Sequence, residues 1–124
     1  MGGNTSKVPI LDKKVYDKID NGLRIGICEM QGWRRTMEDA SLVVSNFGPE
    51  NLSLFGIFDG HGGSIISKFV ASNFLNVFTS SPSFKNKNYE QALIESYIKF
   101  DEFLKNKDVN ELLLRRNKFR KKKK

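Results

Sequence analysis

The chain has 124 residues, 39% of them hydrophobic, with ten phenylalanines, which suits one small packed domain and excludes a multidomain protein or an extended coil. Its formal charge of +7 is local: residues 115–124 hold eight of the 21 basic side chains and no acid, leaving a near-neutral body of 13 bases against 14 acids. No apolar run reaches bilayer length, the first twenty residues lack the apolar stretch of a secretory leader, and the single cysteine, Cys28, excludes an intrachain disulfide and fits a reducing, cytoplasmic setting.

Residues 1–21 are polar with scattered charges and read as a flexible arm. The arm opens Met1-Gly2-Gly3-Asn4-Thr5-Ser6, the pattern of an N-myristoylation signal with Gly2 as the acceptor. One acyl chain anchors only marginally, and a basic segment is a common second signal. The tail at 109–124 supplies one, which points to an anionic membrane surface as a partner rather than a specific nucleic acid.

Residues 22–59 carry strand signals. Leu23, Ile25 and Ile27 alternate with Arg24, Gly26 and Cys28, a period of two. Ala40 to Ser45 is a short apolar run. Leu52 to Phe58 is a second, apolar at both alternating sets of positions and so expected to be buried on both faces. The turn formers of Asn46 to Asn51 lie between them. From 63 to 79 the period becomes helical, with Ile66, Phe69, Val70, Phe74, Val77 and Phe78 on one stripe. Ser80-Ser81-Pro82-Ser83 breaks that helix. A second helix is expected from about Tyr89 to Leu104, capped by Asn88, with Tyr89, Leu93, Tyr97, Phe100 and Leu104 on the core face.

Chemistry concentrates in two short stretches, Gly-Trp-Arg-Arg-Thr-Met-Glu-Asp-Ala at 32–40 and Phe-Asp-Gly-His-Gly-Gly at 58–63. If the apolar runs form an antiparallel hairpin centred between Gly48 and Pro49, Ser45 faces Leu52 and Glu38 faces Asp59. Their β-carbons would then lie about 5 Å apart. Two carboxylates so close repel unless a cation lies between them. Glu38, Asp59 and the Gly60 carbonyl form a hard oxygen set suited to Mg²⁺ or Mn²⁺. Asp39 points to the other face in that register. His61 has a side chain whose ordinary pKa suits proton transfer to a leaving alkoxide. Arg34 or Arg35 can grip phosphate through a planar fork. The glycines at 62 and 63 open a helix whose N-terminus favours an anion, and Trp33 reads as a packing residue.

These two motifs, in this order and spacing, resemble those of the PPM family, the metal-dependent serine/threonine protein phosphatases of type 2C. The likeness covers roughly residues 22–104 and implies an α+β fold, the N-terminal fragment of a four-layer α-β-β-α sandwich with antiparallel sheets, occupying residues 22–108. It implies two Mg²⁺ or Mn²⁺ ions at one end of the sandwich and phosphorylated proteins as substrates. It places Arg34 on the substrate phosphate, Glu38 and the Gly60 carbonyl on one metal, Asp59 between both, Asp39 in the water network, and His61 at the position of a general acid. The aspartates that complete such a centre near the family's C-terminal end have no match after Gly60, so the sequence reads as a truncated gene product, a splice form or an incomplete gene model. Three functions follow: a phosphatase acting on phosphoserine and phosphothreonine, an inactive remnant that binds metal or a phosphorylated partner, and a basic-tailed binding module.

Overall fold

The computed structural model describes residues 5–61, 64–106 and 111. Gly2, Gly62, Gly63 and the basic residues 115–124 lie outside them. The chain divides into two compact units, one up to Ser67 and one from Lys68 onward. As expected, the architecture is α+β with antiparallel strand pairs.

The first unit contains two hairpins. β1 (Thr5–Asp20) pairs with β2 (Leu23–Arg34), and β3 (Ala40–Phe47) pairs with β4 (Leu52–Phe58). β1 corrects the expectation of a flexible arm. Its charges fall on both faces and hide the two-residue period, but Asn21-Gly22 supplies the turn. Both adopt the left-handed conformation, φ 54° and 73°, that a tight two-residue hairpin needs. The register is regular from Asp20↔Leu23 to Lys13↔Met30, then shifts twice on the way to Thr5↔Arg34. Pro9 lies in the irregular part, where its missing N–H cannot serve a ladder. The alternation read in β2 holds from Ile25, where Ile25 and Ile27 are half-buried while Gly26 and Cys28 are exposed, but not at Leu23, which is 39% exposed.

In the second hairpin Ala40 pairs with Phe58 and Val44 with Leu54, one residue away from the expected register. The closing turn is shorter than the sequence implied, because Asn46 and Phe47 remain in β3 and Phe47 pairs with Leu52. Gly48 and Asn51 take positive φ in that turn, and a bulge between Val44 and Phe47 absorbs one residue of β3. The bulge region carries Ser45, which is 3% exposed. Its hydroxyl donates to Asp20 Oδ2, while Ser41 donates to Glu29 Oε1. Asn21 Nδ2 donates to the Asn51 carbonyl at 2.7 Å. These polar links tie the two hairpins together. β4 is not buried on both faces, since Phe55 and Ile57 are 51% and 79% exposed. Among the described residues the β3–β4 sheet has two strands, and the face bearing those two side chains is open to solvent.

The second unit takes in most of α1 (Ile65–Ser80), together with α2 (Pro82–Lys85) and α3 (Tyr89–Lys105). Phe74 and Phe78 of the expected stripe are each 3% exposed. Pro82 both ends one helix and starts another: it stands first in α2, where its missing N–H costs nothing, and Ser81 Oγ accepts from the Phe84 amide at 3.2 Å. Asn88 caps α3 as expected, accepting from the Gln91 amide at 3.3 Å. The core face of α3 differs from the sequence reading. Ala92, Ser96 and Phe100 are buried, whereas Leu93 and Tyr97 are 37% and 60% exposed. Phe100 lies on the expected face, while Ala92 and Ser96 take the buried places that side-chain bulk assigned to Leu93 and Tyr97, one residue around the helix. Phe100 carries the contact to α1, stacked 5.8 Å from Phe74 and edge-on 6.0 Å from Phe69. Such ring pairs add about 0.5–1.5 kcal/mol each beyond burial.

Candidate active site

The ladder of the second hairpin closes at Ala40↔Phe58, and the chemistry-bearing residues flank that pair. Glu38 and Asp39 immediately precede β3, and Asp59, Gly60 and His61 immediately follow β4. Both stretches therefore stand at the open end of one hairpin, as the spacing required. Their pairing does not follow the sequence reading. Continuing the observed register would bring Asp39 level with Asp59, and Glu38 level with Gly60, instead of placing Glu38 opposite Asp59.

Glu38 is 18% exposed, and both of its carboxylate oxygens have neighbours. Arg34 Nη2 stands 3.9 Å from Oε2, a four-residue step along the loop from β2 to β3. Thr36 Oγ1 donates to Oε1 at 3.0 Å. The Glu38 carbonyl accepts from the buried Ser67 hydroxyl at the start of α1. Thr36 and Ser67 were not singled out from sequence. The only available signal was a hydroxyl two residues before the acid and another near a helix start. Across the hairpin end, Asp59 Oδ1 lies 3.9 Å from His61 Nδ1, with those side chains 75% and 87% exposed. Asp39 is exposed, Gly60 is half-buried, and Trp33 is 57% exposed instead of packed.

The donor types suit a hard divalent cation: two carboxylates and a backbone carbonyl, with no thiolate among them. Their placement gathers them only in part. Among the described residues, no three His, Cys, Asp or Glu side chains converge where one ion could hold them. The structure instead forms two local pairs, Arg34 with Glu38 and His61 with Asp59.

The family is settled by comparison. The model of the family described as Protein phosphatase 2C matches residues 23–116. Protein phosphatase 2C homolog 2 of Schizosaccharomyces pombe is 37% identical over 115 residues, covering 88% of this chain and 31% of the relative. Probable protein phosphatase 2C 4 of Paramecium tetraurelia is 46% identical over 76 residues, or 61% of this chain and 25% of the relative. Protein phosphatase 2C homolog 2 of Saccharomyces cerevisiae is 32% identical over 97 residues, which is 75% of this chain and 21% of that protein. The chain belongs to the protein phosphatase 2C family. It spans between a fifth and a third of the length of these relatives.

Proposed function

We propose that this chain carries the phosphate-gripping and cation-binding part of a metal-dependent protein serine/threonine phosphatase site. The observation that carries the reading is the Ala40↔Phe58 closure, with Glu38-Asp39 on one side and Asp59-Gly60-His61 on the other, in a member of a phosphatase family. Glu38, Asp59 and the Gly60 carbonyl would hold Mg²⁺ or Mn²⁺, with Asp39 beside them. Such ions, when bound, act as Lewis acids and lower the pKa of coordinated water. The Arg34 fork orients the phosphoryl oxygens of a phosphoserine or phosphothreonine. His61, open to solvent, would give a proton to the seryl or threonyl oxygen as a water adds to phosphorus and the P–O bond to that oxygen breaks. The Met1–Ser6 pattern, if it directs acylation of Gly2, would together with the basic stretch at 115–124 let a cytoplasmic protein partition to anionic membranes.

The test is hydrolysis of p-nitrophenyl phosphate by the 124-residue chain with and without Mn²⁺. Manganese-stimulated turnover that Asp59→Asn abolishes is the expected result. The separation of the donors into two local pairs favours a second reading, an inactive remnant that binds a phosphorylated partner. Phosphopeptide binding that depends on Arg34, with no metal-stimulated turnover, would select it.

A further inference from the structure

Asn21 is the one asparagine of this chain that is followed by glycine, and asparagine is among the chemically least durable side chains. Both residues of the pair are exposed at the tip of the β1–β2 hairpin. Gly22 has no side chain, and apart from its own chain neighbours no atom lies within 4 Å of where a Cβ would stand, so little crowds its nitrogen. The Asn21 side chain is at the same time a tie between hairpins. Its Nδ2 donates to the Asn51 carbonyl at 2.7 Å and to Ser53 Oγ at 3.0 Å, which joins the turn of the first hairpin to the turn and strand of the second. Ser53 donates onward to the Ser45 carbonyl at 2.7 Å, and Ser45 donates to Asp20 Oδ2, next to Asn21. A carboxylate cannot replace the amide in this chain of bonds, because it has no proton to give.

We propose that Asn21 is a deamidation site whose conversion unfastens the two hairpins. The Gly22 nitrogen attacks Asn21 Cγ and a ring C–N bond forms. The Cγ–Nδ2 bond breaks, and Nδ2 leaves as ammonia with the proton that Gly22 N carried. Water then adds to either carbonyl of the five-membered imide and opens it to aspartate or isoaspartate. The product sets negative oxygens against the Asn51 carbonyl oxygen, where a donor stood, and beside the Asp20 carboxylate. Isoaspartate also lengthens the main chain by one carbon in a two-residue turn whose φ values of 54° and 73° leave no slack. Before it reacts, the amide has to let go of Asn51 and Ser53. The rate of conversion therefore reports how often the two turns part.

Incubation of the full chain in mildly alkaline buffer, followed by peptide mass mapping of every asparagine, tests the site. The peptide holding Asn21 should gain about one dalton before any other asparagine does. Ser53→Ala removes one of the two acceptors and should speed the conversion about two- to tenfold. Amide hydrogen exchange reads the consequence. Asn21→Asp should exchange faster along β1 and across residues 46–53, with α3 unaffected. Asn21→Gly keeps the left-handed turn and removes only the donors, so it should show the same change at smaller size. Asn21 converting no sooner than the other asparagines overturns the site. An unchanged rate in Ser53→Ala overturns its control by the hairpin contact. Exchange in both Asn21 variants that matches the unaltered chain overturns the unfastening.

Discussion

Among the described residues from Lys68 onward, four apolar side chains are hidden, Phe74, Phe78, Ala92 and Phe100, each 4% exposed or less. Up to Ser67, no described apolar side chain is buried, and the residues below 9% exposure are the serines Ser45 and Ser67. The helical unit is held by contact between rings, and the strand unit by turns, ladders and hydroxyl links between hairpins. The difference explains where the candidate site sits. Hydrogen bonds fix direction without filling space, so the acids at the hairpin end are placed by backbone geometry and can still exchange partners.

The sharpest way to break this contrast is Phe100→Ala, which removes a ring touching Phe69, Phe74 and Phe103. It should cost about 3–5 kcal/mol and lower the melting of the helical circular dichroism signal, whereas an unchanged melt would mean the ring ladder does not carry the unit. Gly22→Ala probes the other side. No atom lies within 4 Å of the added methyl group, so the cost comes only from φ +73°. About 1 kcal/mol is expected, seen as faster amide exchange along β1 with the helices unaffected. The smallest effect belongs to Ile57→Thr on the open face of β4, which should shift stability by no more than about 0.5 kcal/mol. A larger loss in thermal unfolding would show that this face is covered in solution.

The helices were legible because period and cap agree locally: the phenylalanine stripe of α1 and Asn88 ahead of α3 each act within a turn or two. β1 was missed because lysines and aspartates occupy both of its faces, leaving Asn21-Gly22 as the only clear signal. The hairpin register was off by one because the turn closes two residues later on β3 than expected, with Phe47 instead of Ser45 opposite Leu52, and the bulge between Val44 and Phe47 takes back one of the two. The site was legible as two motifs at one hairpin end, and its internal pairing was not. Glu38 takes its neighbours from a hydroxyl two residues away and another 29 residues away, and no spacing rule in the motif encodes the second.

That second hydroxyl has a consequence of its own. By gripping the Glu38 carbonyl, Ser67 turns the acid's main chain into a fixed pivot. The carboxylate can then swing between neighbours by bond rotation alone, like a needle on a mounted compass. Exchange of its partner needs no refolding of the surrounding segment, and rotations of that kind belong to the picosecond-to-nanosecond range.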